Sequence, residues 1–254
     1  LHFRADGVVE VKPGKVELGQ GILTTLAQIA ADELDVALER IRVVSVVTPE
    51  SPDEAVTSGS LSVQDSGSAI RHASADARRI FLSVAAQRSG VAFETITVQD
   101  GDFIGPQGKI GSYWQFADAG LLEVEASPEA RAKPVAARRL VGVSAPRRDL
   151  PGKLQGAPAY VHDLRLPGML HARNIRPPLA GSTLRSVDEM SVAGIPGFVR
   201  VVQEGNYLAV VCEREEQAIQ AAQQLRAEWT PPAQAPFPAS EDLFDYLRAS
   251  APMS

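Results

Sequence analysis

An α+β fold in two domains is what this sequence predicts, and three features predict it. Hydrophobic residues recur at strand and helix periods in turn, a proline-rich stretch without period lies near the middle, and short strands with one helix follow it. The chain of 254 residues, 44% hydrophobic and 6% aromatic, is long enough to bury an ordinary core in one or two domains.

In the first half, Val8, Val9 and Val11, then Pro13-Gly14, then Val16 and Leu18 read as a hairpin. After Gly19-Gln20-Gly21, the residues Ile22, Leu26, Ile29 and Ala30 share one helix face, and the helix is expected to end near Leu34. A strand is expected over about Ile41 to Val47. Residues 49–67 contain Ser51, Thr57, Ser58, Gly59, Ser60 and Ser66 with no hydrophobic period, which predicts a polar loop. Ile70, Ala73, Ala77, Ile80, Phe81 and Val84 then mark a second helix, with Ser89-Gly90 as its stop. Asp100-Gly101, between Ile96-Thr97-Val98 and Phe103-Ile104, signals a tight hairpin.

Between Glu123 and Pro158 the prolines Pro128, Pro134, Pro146, Pro151 and Pro158 interrupt charged sequence, so an extended connector is expected over 123–158. Strands near 170–175, 198–202 and 208–212, a helix over 214–226 and a strand at Trp229 then make a small α+β domain. Pro231-Pro232 closes it. Leu243, Phe244 and Leu247 form a short amphipathic turn in a tail over 233–254.

The charge balance, 25 basic against 31 acidic residues for a net of -6, leaves no basic stripe for a phosphate backbone and makes nucleic acid an unexpected partner. With Cys212 alone, the chain holds no internal disulfide and no four-cysteine iron–sulfur cluster. His2, His72, His162 and His171 lack metal-ligand spacing, so no direct protein–metal bond is assigned. The longest apolar run, Leu208 to Cys212, has the length of a buried strand and not of a membrane span. The charged, alternating start over Leu1 to Lys12 differs from a signal peptide, and both ends are expected to continue into a longer polypeptide.

By spacing alone, Gly19-Gln20-Gly21 is a strand-to-helix turn. The longer run Gly14-Lys15-Val16-Glu17-Leu18-Gly19-Gln20-Gly21, continued by Thr24-Thr25-Leu26-Ala27-Gln28-Ile29-Ala30-Ala31-Asp32-Glu33-Leu34, resembles the cofactor-binding segment of molybdenum hydroxylases of the xanthine dehydrogenase/aldehyde oxidase family. Thr57-Ser58-Gly59-Ser60 and the helix after it are similar to the isoquinoline 1-oxidoreductase and nicotinate dehydrogenase group. Downstream, Pro151 to Gly156, Tyr160 to Asp163, Leu166 to Ala172 and Ile195 to Val199 resemble the α/β hammerhead domain of that family. In the xanthine dehydrogenases the hammerhead precedes the glutamine-bearing segment, whereas here it follows, as in the isoquinoline and nicotinate enzymes.

The resemblance implies a partial molybdopterin-binding domain over 1–122 and a hammerhead domain over 159–232. It implies a molybdenum-molybdopterin cofactor in its cytosine dinucleotide form, and oxidation of an N-heteroaromatic or aldehyde substrate with oxygen from water. The partners it implies are the rest of the molybdenum polypeptide, an iron–sulfur subunit with [2Fe–2S] clusters and a cytochrome c subunit. Gln20 would hydrogen-bond the molybdenum centre, its amide offering donors and an acceptor without charge. Gly19 and Gly21 would let backbone approach the cofactor, and free amides at the helix start would face an anionic group. Ser58, Gly59 and Ser60 would donate to the pterin or its phosphates. Glu17, Asp53, Glu54 and Asp65 read as surface or capping carboxylates. The family's glutamate base lies near the far end of its polypeptide and matches no position here. A reading of another class is a noncatalytic scaffold that docks a cluster-bearing or cytochrome partner.

Overall fold

The computed structural model describes residues 1–58, 60–117, 120–238 and 240–250. Contacts divide it into two units, residues 1–159 and 160–254. Helices and antiparallel strand groups share each unit, so the fold is α+β.

In the first unit, β1 (His2–Phe3) pairs antiparallel with β2 (Val9–Val11), and β2 pairs in parallel with β3 (Ile41–Val43). The connection from β2 to β3 carries α1 (Ile22–Leu34), whose Ile22, Leu26, Ile29 and Leu34 are buried. Left-handed residues stop it at both ends, Gly21 at φ +80° and Asp35 at φ +54°. The expected hairpin through Pro13-Gly14 is not formed. The backbone donors of Gly14 and Val16 bond side chains of Glu54 and Thr57, which leaves no ladder for a second strand.

The expected polar loop is shorter than read, because Ser62–Gly67 winds as a π-helical turn straight into α2 (Ser68–Ser89). Its polar side chains hide the period. Glycine eases the packing there: a Cβ on Gly67 would lie 3.0 Å from Ile29 Cδ1, a tight contact whose absence lets α1 and this turn approach closely. Gly90, at φ +71°, ends α2 as expected.

β4 (Thr97–Gln99), β5 (Asp102–Gly105) and β6 (Gly108–Ser112) form an antiparallel meander. Asp100 and Gly101 turn its first hairpin at φ +48° and +84°, the left-handed pair that a two-residue turn requires. α3 (Tyr113–Phe116) follows directly. Phe3, Phe81, Phe103 and Tyr113 interlock at centroid separations of 4.9–6.4 Å, joining β1, α2, β5 and α3 in one core.

Residues 123–158 hold only short elements, among them α4 (Leu150–Leu154), yet they are bound along the first unit. Gln28 Nε2 donates to the carbonyls of Leu140 and Val143, both at 2.9 Å. In the second unit, β10 (Tyr207–Cys212) is the middle strand between β7 (His171–Asn174) and β9 (Phe198–Glu204), which explains its uninterrupted apolar run. β8 (Thr183–Asp188) and β11 (Arg226–Thr230) form a separate ribbon, and α5 (Glu215–Gln224) packs on β7 and β10. α6 (Leu243–Ala249) lies in the tail. β8 escaped the sequence reading because polar residues flank its apolar Leu184 and Val187.

Candidate functional site

Gly19 and Gln20 are exposed on a turn leading through the buried Gly21 into α1, with Gly19 at φ +108°. Two local bonds hold the Gln20 amide: Oε1 accepts from the Leu18 amide at 2.5 Å, and Nε2 donates to the Val16 carbonyl at 3.0 Å. One Nε2 hydrogen and one Oε1 lone pair are left over from these bonds. Because the amide is held at both ends, its donor and acceptor are oriented in advance.

The amides expected to be free at the helix start are not free. Glu17 Oε1 accepts from the Gly19 and Gly21 amides at 2.8 and 2.9 Å, and Oε2 accepts from Leu23 at 3.4 Å. A tethered carboxylate thus occupies the anion position that the exposed amides and the helix dipole create. The capping reading of Glu17 fits this geometry.

A second segment is drawn against the first. Gly14 donates its amide to Glu54 Oε2 at 3.0 Å, and Val16 donates to Thr57 Oγ1 at 2.9 Å. Between them the Lys15 ammonium, only 1% exposed, donates to the carbonyls of Glu54 and Val56 at 2.5 and 3.1 Å. A Cβ on Gly14 would sit 2.3 Å from the Pro52 carbonyl oxygen, so only glycine fits there. Ser58 and Ser60 follow, both exposed, while Gly59 lies outside the described residues. The structure therefore links the glutamine turn and the serine loop through residues 14–16 and 54–57. Their exposed donors, the Gln20 amide and two hydroxyls, are neutral. That set suits the polar edges of a heterocyclic cofactor, and the anion position at the start of α1 is already held by Glu17.

Arg147, Asp149 and Lys153 belong to the same surroundings and were not singled out from the sequence. Arg147 Nη1 donates to the Gly19 carbonyl at 2.9 Å. Its Nε and Nη2 donate to the two oxygens of Asp149 at 3.0 and 2.5 Å, and Lys153 Nζ adds a bond at 2.7 Å. The Arg147 and Lys153 bonds hold the Asp149 carboxyl well below the usual carboxylate range. Beside them, the Arg148 amide donates to Thr24 Oγ1 at 3.1 Å. The only sequence signal was the charge run Arg147-Arg148-Asp149, which carries no information about a turn 128 residues away.

Residues 1–140 match the model of the molybdopterin cofactor-binding domain family. Over 234 residues the chain is 42% identical to a subunit of the nicotinate dehydrogenase of Pseudomonas putida, a match covering 89% of this chain and 20% of that protein. It is 33% identical over 241 residues to the membrane-bound aldehyde dehydrogenase [pyrroloquinoline-quinone] of Gluconacetobacter polyoxogenes, covering 89% of this chain and 31% of that one. It is 27% identical over 270 residues to the beta subunit of isoquinoline 1-oxidoreductase of Brevundimonas diminuta, covering 90% and 34%. The chain thus spans between 20% and 34% of the length of these relatives. The domain match over more than half of the sequence, on which the glutamine turn and the serine loop both fall, shows that the chain belongs to the molybdopterin-binding subunits of the xanthine dehydrogenase family.

Proposed function

We propose that this chain forms part of the wall of a molybdopterin site in a larger hydroxylase that oxidises an N-heteroaromatic or aldehyde substrate with oxygen from water. The observation that carries the proposal is the Gln20 side chain, exposed on a glycine-flanked turn yet held at both ends of its amide. The names of the relatives support both substrate classes, nicotinate and isoquinoline on one side and aldehydes on the other. When bound, the molybdenum-molybdopterin group, in its cytosine dinucleotide form, supplies the two-electron redox chemistry.

Gln20 offers the bound group one donor and one acceptor, a hydrogen-bonding role beyond any direct ligand. Gly19 presents bare backbone, so the turn can come close to a ring system, while Gly21 gives the close turn into α1. Ser58, Gly59 and Ser60 supply hydroxyl and amide donors to the pterin or its phosphates. Lys15 keeps that loop beside the turn, and Glu17 satisfies the start of α1, which directs any cofactor phosphate elsewhere.

Residues 159–232 act as the hammerhead domain of the assembly, a reading supported by the antiparallel β7-β10-β9 sheet with α5 packed on it. Residues 1–122 and the 123–158 connector belong with the cofactor. The partners are the remaining molybdenum polypeptide, an iron–sulfur subunit whose [2Fe–2S] clusters take the electrons, and a cytochrome c subunit.

The test is to produce the full polypeptide with its partner subunits in a molybdenum-replete host, and to measure molybdenum per protein and turnover. Near-stoichiometric metal is expected, with Gln20→Ala losing about 10–100-fold in kcat while the assembly stays intact. An intact assembly without molybdenum would overturn the proposal in favour of a noncatalytic scaffold. Unchanged kcat in Gln20→Ala would overturn the role of Gln20.

A further inference from the structure

We infer that Arg147 is a positioning residue for the Gln20 turn, fixing the peptide plane from which the glutamine reaches the cofactor; the inference rests on the molybdopterin reading above. Gly19 and Gly21 both have positive φ and no side chain, so nothing in their own sterics selects one backbone conformation over its neighbours. The selection must come from bonds. Arg147 Nη1 holds the Gly19 carbonyl, which is the oxygen of the peptide bond leading into Gln20, at 2.9 Å. Glu17 holds the amides of Gly19 and Gly21. The guanidinium also lies over Gly21, where an added Cβ would meet Arg147 Nε at 3.1 Å.

The guanidinium is itself immobilised. Asp149 binds it through two nitrogens at 3.0 and 2.5 Å, Lys153 ties down the same carboxylate, and Glu17 approaches Arg147 Nη2 at 3.9 Å. A planar fork is needed for this arrangement, since one nitrogen faces Gly19 while two others chelate Asp149. A lysine ammonium is a point donor and cannot reproduce both contacts. Arg147 therefore links the segment after residue 140 to the orientation of a side chain near residue 20.

The experiment compares the full polypeptide in its assembly with Arg147→Lys and Arg147→Ala variants. It uses hydrogen–deuterium exchange of peptides covering residues 17–24, molybdenum content, and the separate values of kcat and KM. Both variants are expected to exchange about tenfold faster in that peptide, the equivalent of one lost charge-assisted hydrogen bond, with exchange unchanged outside it and the 147–154 segment that Arg147 also binds. With molybdenum retained, kcat should fall about 10–100-fold at constant KM. Unchanged exchange over 17–24, or faster exchange with unaltered kcat, would overturn the inference. A parent assembly without molybdenum would overturn the cofactor reading instead, and exchange alone would then decide whether Arg147 holds the turn.

Discussion

The carboxylate of Asp32, on the last turn of α1, accepts a hydrogen bond from the backbone amide of Arg139 at 2.7 Å and is 3% exposed. The same carboxylate takes the amides of Leu140 and Val141 at 3.2 and 3.3 Å. Its neighbour Glu33, fully enclosed, accepts from the Lys133 amide at 3.0 Å and pairs with Arg78 at 2.9 Å. Two adjacent buried acids thus fasten a segment that has no ladder of its own.

Removing either acid should detach that segment. Asp32→Ala strands up to three amides, and the expected loss is about 2 kcal/mol, with Asp32→Asn milder because it keeps one acceptor oxygen. Glu33→Gln leaves Arg78 without its buried counter-charge and should cost about 3–5 kcal/mol. Urea unfolding measures the loss, and faster proteolytic cleavage within 123–148 reports the detachment. Wild-type cleavage rates in both variants would contradict the account.

Gly14 and Gly90 should respond differently to alanine. Gly90 at φ +71° faces open space, so Gly90→Ala costs only the left-handed strain of about 1–2 kcal/mol. Gly14→Ala must push away the Pro52 carbonyl and with it residues 52–57. Lys15→Met should loosen the same loop by leaving two carbonyls unpaired. Hydrogen exchange of a peptide spanning 52–60 separates the cases, and equal exchange in all three variants would refute the linkage.

Tyr113 is wholly buried, and its hydroxyl donates to the Leu34 carbonyl at 3.0 Å. Burial pushes the phenol far above its ordinary value, with Arg78 opposing and Asp35 and Glu33 assisting. The folded state keeps this proton when the unfolded chain releases it, at about pH 10. Stability is therefore unaffected by this group below that pH and falls as pH rises through it. Denaturant midpoints at pH 9 and 11 should show the decline, and Tyr113→Phe should flatten it. An equal decline in the variant would exclude Tyr113 as the source.

Cys212 closes β10 with no exposed surface, and burial raises its thiol. Reaction with a water-soluble aromatic disulfide should therefore await opening of the second unit, since the thiolate is the reactive form. The thiol should react slowly under native conditions and at once in denaturant. Immediate native-state reaction would contradict the packing around β10.

Local signals made much of the fold legible. The period of Ile22, Leu26, Ile29 and Ala30 with Gly21 ahead of it marked α1, and Ser89-Gly90 marked the end of α2. Asp100-Gly101 marked its hairpin, because that turn is a property of two residues. β1 was not legible, since two residues carry no period and their partner is Val9–Val11.

Of the candidate site, Gly19, Gln20, Gly21, Ser58 and Ser60 came from motif, and Glu17 came from residue type as a capping carboxylate. What only the tertiary structure decided is what surrounds them: Lys15 under the serine loop, and Arg147 on the Gly19 carbonyl. The sequence by itself determined α1, α2, α5, the Asp100-Gly101 turn and the family, because these depend on neighbours along the chain. The Lys15 and Arg147 ties of the Gln20 turn span 39 to 128 residues, their partners are chosen by which backbone groups burial leaves without water, and no local pattern encodes that choice.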